Sequence, residues 1–217
     1  MSELALRQEI IANGLKMNAT GLNQGTSGNL SIRCGDGLLV TPSGIPYEQL
    51  EPDDIVYMNM DGSYDHPLAP SSEWRFHRDI IQARPEVNAV VHTHSTYCTA
   101  LAIQGLAIPA IHYMIAVSGG NSIRCAPYHT YGSQALSDAA LTALEDRTAC
   151  LLAHHGMIAT GPNMAKAMWL AEEVETLARQ YFNVLQLGEP KLLPDEEIDR
   201  VVKKFRNYGM KSKSDKS

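Results

Sequence analysis

Two histidine pairs stand at the ends of apolar runs. His92-Thr93-His94 follows Val87-Asn88-Ala89-Val90-Val91, and His154-His155 follows Cys150-Leu151-Leu152-Ala153. Alternate residues of an extended strand point to the same side of a sheet, so His92 and His94 can offer two imidazoles to one point in space. A second strand end can add a third, from His154 or His155. Three neutral imidazoles with an open fourth position suit catalytic zinc or another late first-row divalent ion. A carboxylate to join them lies upstream at Glu73, near an expected helix start, where the helix dipole and unpaired N–H groups favour an anion. The same placement also suits a plain capping carboxylate.

Other H-x-H chemistries do not fit. His94 is followed by Ser95-Thr96-Tyr97, without the further Asp and His of two-metal hydrolases, and the nearest following acid is Asp138, too far for a cupin-type glutamate. The stretch Gly25-Thr26-Ser27-Gly28-Asn29 could wrap an oxyanion, because glycine lets backbone N–H groups converge and the hydroxyls add donors. Ser43-Gly44 and Ser71-Ser72 are two more such clusters, and together the three suggest a phosphate site without lysine. None matches a Walker or dinucleotide fingerprint, and no G-x-S-x-G elbow supports serine hydrolysis.

These residues need a scaffold. Leu4 to Met17 carries apolar residues at helical spacing, and Leu30–Arg33 with Leu38–Thr41 around Gly35-Asp36-Gly37 reads as a hairpin. Ile55–Met60 is a further strand. Ser71 or Ser72 is expected to cap a helix running to Arg84, with Glu73 in its first turn and Pro85 ending it. Thr96–Ile103 and Ser133–Asp146 read as helices, Ala107–Ile115 as extended, and Met157–Thr160 as a short strand. Asn163 caps a long helix to Leu187 and Asp195 the last one, to Phe205. Hairpins coexist with crossovers, which predicts an α/β fold: a single domain whose central mixed or mostly antiparallel sheet is flanked by helices.

The composition agrees with one globular domain: 217 residues, 44% hydrophobic and 19% charged. A formal charge of −6 argues against nucleic acid as a partner. No apolar run approaches the roughly 20 residues of a membrane span, and the charged first residues do not read as a signal peptide. A cytoplasmic location is the expectation. Cys34, Cys98, Cys125 and Cys150 form no C-x-x-C pair and are expected to be reduced.

Six segments together resemble the class II aldolase/adducin family: Asn23 to Asn29, Thr41 to Tyr47, Ser71-Ser72-Glu73-Trp74-Arg75-Phe76-His77, the His92 pair, Ile111 to Ile115 and His154-His155-Gly156. The resemblance runs from about Leu4 to about Tyr208, implying a domain over 1–209 and a tail over 210–217. It implies one zinc ion on Glu73, His92, His94 and His155, and a substrate phosphate held by Thr26, Asn29, Ser43, Gly44, Ser71 and Ser72, with Gly28 shaping the loop. Ser43 stands where the family has threonine and keeps the hydroxyl. Glu73 and Tyr113 become the catalytic residues, Tyr113 being supplied by a neighbouring subunit of a homotetramer with sites at its interfaces, and Phe205 and Tyr208 close over the aldehyde end. The implied activity is cleavage of a small phosphorylated sugar, L-fuculose 1-phosphate, to dihydroxyacetone phosphate and L-lactaldehyde through a metal-stabilised enediolate. Within the same family, 5-deoxyribulose 1-phosphate or rhamnulose 1-phosphate cleavage, dehydration of methylthioribulose 1-phosphate and L-ribulose-5-phosphate 4-epimerisation are alternatives. So, in another class, is a non-catalytic adducin-like interaction module.

Overall fold

A computed structural model describes residues 1–206. Seven strands, β1 (Asn29–Cys34), β2 (Gly37–Val40), β3 (Val56–Asn59), β4 (Ala89–Thr93), β5 (Arg124–Ala126), β6 (Ala149–Leu152) and β7 (Gly156–Gly161), form one sheet in the order β3-β2-β1-β4-β7-β6-β5. Every neighbouring pair is antiparallel except β5 with β6, so the sheet is mixed and mostly antiparallel. Six helices accompany it: α1 (Glu3–Ala19), α2 (Trp74–Ala83), α3 (Thr96–Ile103), α4 (Gln134–Ala143), α5 (Met164–Leu187) and α6 (Asp195–Arg206).

The helices cover both faces. Leu38, Val40, Val90, Cys150, Leu152 and Ile158 join Phe76, Ile80 and Ile81 of α2 and Leu136 and Ala140 of α4 in one core. Leu30, Ile32, Leu39, Ala89, Val91, Leu151, Met157 and Ala159 point the other way, into a larger core with α1, α3, α5 and Ile198 of α6. With both faces dry, β2, β4, β6 and β7 are buried along their whole length, which explains their runs of unbroken apolar residues. The period of two then assigns the polar exceptions. Asn29 and Ser31 alternate with Leu30 and Ile32, and His92 alternates with Val91, so all three face the α2 side.

Several expected boundaries hold to within a residue or two, and the caps explain why. Ser133 accepts from Leu136 N–H, and Asn163 accepts from Lys166 N–H. Three local expectations are corrected. Neither Ser71 nor Ser72 is the N-cap of α2; Glu73 occupies that position, and its carboxylate makes no capping hydrogen bond. Ser71 instead accepts from the backbone N–H of Glu73 through Oγ at 3.2 Å and from Trp74 N–H through its carbonyl at 3.0 Å. The expected extended run to Ile115 stops earlier, because Tyr113–Ser118 is a 3-10 turn in which Nδ1 of His112 accepts from Met114 N–H. Asp195 is the first residue of α6 rather than its cap. All four cysteines are free, with Cys98 and Cys150 buried, and no described helix is long and apolar enough to cross a membrane.

Candidate metal centre

Antiparallel pairing brings the functional segments to one edge of the sheet. Asn29, which begins β1, pairs with His92 near the end of β4, and β7 begins beside the end of β4 with Thr93 opposite Met157. β2 also ends at this edge. Beyond it, Thr41 to Ser43 run beside Ala69 to Ser71: Thr41 O accepts from Ser71 N–H at 2.9 Å, and Ala69 O accepts from Ser43 N–H at 3.0 Å. α2 starts two residues after Ser72, and its N-terminus lies against the same edge.

Glu73, His92, His94 and His155 converge here, with one ligand atom from each lying within 4.8 Å of all the others. Glu73 Oε2 is 3.1 Å from His92 Nε2, and Glu73 Oε1 is 3.1 Å from His155 Nε2. The three imidazoles stand edge to face, with centroids 4.8 to 4.9 Å apart. His94 lies just past the last residue of β4, and its Nε2 is 3.0 Å from His92 Nε2. The choice within the second pair is made by the backbone. His154 adopts a left-handed conformation, φ 54°, costly for a residue with a Cβ. This turns the chain so that His155 faces the cluster while His154 is exposed, its ring near Tyr128.

The residues present fit a divalent cation. His92 Nδ1 is 2.9 Å from the carbonyl oxygen of Met157, so that nitrogen carries the hydrogen and Nε2 directs its lone pair into the cluster. Glu73 Oε1 is buried and accepts no hydrogen bond. Burial alone would raise the Glu73 carboxyl, but His92 and His155 beside it outweigh that effect and hold it well below the ordinary carboxylate range. Burial, then the neighbouring His92 and His155, push the His94 imidazole down to about 4, which keeps its lone pair available at neutral pH. An N3O set of convergent acceptors needs a positive charge at its centre, and imidazole with carboxylate suits zinc and its neighbours in the first row.

The residues expected on the phosphate are gathered at the same edge. Thr26, Ser43, Gly44 and Ser72 are exposed, while Gly28, Asn29 and Ser71 are buried. A Cβ on Gly28 would stand 2.7 Å from the His92 carbonyl oxygen, so only glycine lets this loop pass beneath the metal-site strand. Tyr47 donates to Gly28 O at 2.7 Å from a buried position and fastens the loop from below. Asn29 uses its amide within the protein, donating to Glu73 Oε2 at 3.0 Å.

Tyr113 is elsewhere. It is half exposed, stacks on His112 at 4.6 Å, and sits on a turn that packs on α5 and α6. Phe205 is partly buried against the larger core, and Tyr208 lies outside the described residues.

Three supporting residues escaped the sequence reading. Glu175 of α5 caps α3 by accepting from Tyr97 and Cys98 N–H at 2.9 Å each, which anchors the chain just after His94. No local signal marks such a tertiary cap. His77 and Ser31 lie behind Asn29. His77 could have been noticed as the i+4 neighbour of Glu73.

The fold and this cluster define a class II aldolase. The family described as "Class II Aldolase and Adducin N-terminal domain" matches residues 8–182, and the chain belongs to it. It is 54% identical to the 5-methylthioribulose-1-phosphate/5-deoxyribulose-1-phosphate aldolase of Rhodospirillum rubrum, over 96% of this chain and 94% of that one. It is 51% identical to the L-fuculose phosphate aldolase of Escherichia coli K12, over 97% and 99%. A solved L-fuculose 1-phosphate aldolase superposes with a TM-score of 0.91 at 41% identity, covering 93% of this chain and 96% of that one. The protein is accordingly a lyase of the metal-dependent aldolase class, and the scaffold alternative is set aside.

Proposed function

We propose that the protein is a zinc-dependent aldolase that cleaves L-fuculose 1-phosphate between C3 and C4, releasing dihydroxyacetone phosphate and L-lactaldehyde. The observation that carries the reading is the buried Glu73 and three-imidazole cluster beside three hydroxyl- and glycine-bearing loops. Glu73, His92, His94 and His155 would hold the ion, which when bound supplies Lewis-acid stabilisation of the negative charge left on the ketose half.

The chain's own residues handle the protons and the orientation. Thr26, Asn29, Ser43, Gly44, Ser71 and Ser72 bind the 1-phosphate and so fix which carbon meets Glu73. Tyr113 of a neighbouring copy takes the proton of the C4 hydroxyl as the C3–C4 bond breaks. The bonding pair stays with the dihydroxyacetone phosphate half, and Glu73, protonated from solvent once the ketose is bound, delivers that proton to C3, while Tyr113 releases the one it took to solvent. In synthesis the two transfers reverse. The half-exposed Tyr113 is accessible for use across a subunit boundary; a homotetramer and a cytoplasmic location are part of the same proposal. Phe205 and Tyr208 would close the aldehyde end.

A second reading has a specific observation in its favour, the Rhodospirillum rubrum relative. In it the substrate is 5-deoxyribulose 1-phosphate or its 5-methylthio analogue, and the released aldehyde has two backbone carbons. A difference of 54% against 51% identity does not separate the two. The test is a panel of L-fuculose, L-rhamnulose, 5-deoxyribulose and methylthioribulose 1-phosphates and L-ribulose 5-phosphate, assayed for triose-phosphate release with and without chelator. The highest kcat/KM on L-fuculose 1-phosphate, lost on chelation and restored by zinc, is expected. A preference for 5-deoxyribulose 1-phosphate selects the second reading, and turnover of the 5-phosphate alone overturns both.

A further inference from the structure

Behind Glu73 runs a line of buried polar side chains, Asn29, His77 and Ser31, and neither the metal nor the phosphate role uses the last two. Asn29 Nδ2 donates to Glu73 Oε2 at 3.0 Å, His77 Nε2 lies 2.5 Å from Asn29 Oδ1, and Ser31 Oγ lies 2.7 Å from His77 Nδ1. Ser31 and His77 are fully buried, and Asn29 and Glu73 are 5% exposed. Placing four polar groups there is costly unless each is paired. The two faces that carry them arise separately, Asn29 and Ser31 from one side of β1 and Glu73 and His77 from one turn of α2.

The direction of every bond is fixed by a single charge. An ionised carboxylate only accepts, so the Asn29 amide must present its nitrogen to Glu73 and its oxygen to His77. That oxygen also only accepts, so the His77 hydrogen sits on Nε2. The other ring nitrogen of the neutral imidazole is then an acceptor, and the Ser31 hydroxyl donates to it. No member can reverse without setting two donors or two acceptors against each other. The asymmetry continues into Glu73, where Oε2 receives the Asn29 N–H and Oε1 receives none.

We propose that Ser31 and His77 are positioning residues for the aldolase reaction, acting through Asn29 to hold Glu73 in one orientation with Oε2 pinned and Oε1 left beside His155. The proposal rests on Glu73 being the proton-transfer group, as argued under the proposed function. Asn29 Nδ2 carries a second hydrogen, so its expected place on the substrate phosphate is compatible with the chain. Phosphate binding and carboxylate orientation would then share one amide.

Two measurements test it, the first independent of activity. In full-length protein with isotope-labelled histidine, the His77 ring, assigned by its absence in His77→Gln, is expected as the Nε2–H tautomer; an Nδ1–H tautomer overturns the chain. The second uses zinc-loaded variants and follows both kcat for the preferred ketose 1-phosphate and solvent hydrogen exchange into dihydroxyacetone phosphate. His77→Leu is expected to lower both by about 10- to 100-fold, the range for residues that orient a metal ligand, with zinc content unchanged and KM within about threefold. His77→Gln, whose amide N–H can still donate to Asn29, should recover most of the loss. Equal losses in the two variants, or a loss that tracks zinc content, overturn the proposal. Should His77→Leu fail to fold, Ser31→Ala decides: a loss of about threefold or more in exchange supports it, and an unchanged rate overturns it. If the wild-type protein turns over no ketose phosphate, the functional reading fails while the tautomer still decides the chain.

Discussion

His92 Nδ1 lies 2.9 Å from the carbonyl oxygen of Met157, whose own strand partner is Thr93 rather than His92. The carbonyl belongs to the diagonal neighbour on β7, so the strand pairing itself dictates which nitrogen of His92 bears the hydrogen and which is left for a metal ion. The imidazole is oriented by the sheet, without a second side chain.

Metal removal should therefore cost both activity and stability. Exhaustive chelation is expected to abolish aldol cleavage and lower Tm, with zinc restoring both at one equivalent per chain. An ion at about 1,000 times its Kd adds about 4 kcal/mol to a native state that alone binds it. A Tm unchanged by zinc would contradict the site.

Gly156 begins β7 against the end of β4. A Cβ there would meet Thr93 O at 2.3 Å and His94 Cδ2 at 3.0 Å. Gly156→Ala must push the strands apart or turn His94 away, at a cost of about 1 to 3 kcal/mol in stability. Urea unfolding and zinc titration should both report the damage, and unaltered zinc affinity would show that His94 has room to move.

Tyr47→Phe removes the hydroxyl that holds Gly28 O in the loop leading into β1. The change should destabilise the protein by about 1 kcal/mol and raise KM more than it lowers kcat, since the loop is read as binding the phosphate rather than moving protons. Weaker competitive inhibition by inorganic phosphate is the matching check.

His77 predicts a pH dependence of folding. Burial, with His92 next, pushes its imidazole down to about 3 from an ordinary 6.5. Between those values the unfolded chain binds a proton that the native protein refuses, so ν_U exceeds ν_N and stability rises with pH. Its contribution is complete above about 6.5 and is lost as pH falls toward 3, by about 1.4 kcal/mol per unit. Urea unfolding of chelated protein at pH 7, 6 and 5 should show a shallower slope in His77→Gln than in wild type. Parallel slopes would remove His77 from the acid response.

Much of the fold was legible because buried elements leave periodic traces. The Asn163 cap and Gly188 bracket α5, and Gly35-Asp36-Gly37 marks the β1–β2 hairpin. Pro109 and its apolar neighbours give Tyr113 the pattern of a strand; the 3-10 turn depends on His112 capping Met114 N–H, which pattern does not reveal. The capping assignment for α2 failed for a related reason. Ser71 and Ser72 have the right chemistry, but Glu73 at the N-cap turns to distant histidines instead of to its own helix.

The sequence by itself determined which residue types carry the chemistry: two histidine pairs at strand ends, an acid at a helix start and three hydroxyl-bearing loops, since those follow from local spacing and donor inventory. The family resemblance already pointed to His155 and Glu73, but only the tertiary structure shows the geometry behind that choice: His155 and not His154 faces the cluster, the Glu73 carboxylate turns to the histidines rather than to its own helix, and Asn29, His77 and Ser31 stand behind it. Those choices depend on a left-handed φ at His154 and on the register of β1, β4 and β7. Pairing register joins residues from 29 to 157 at one sheet edge, and local sequence carries no signal of what lies across a strand pair.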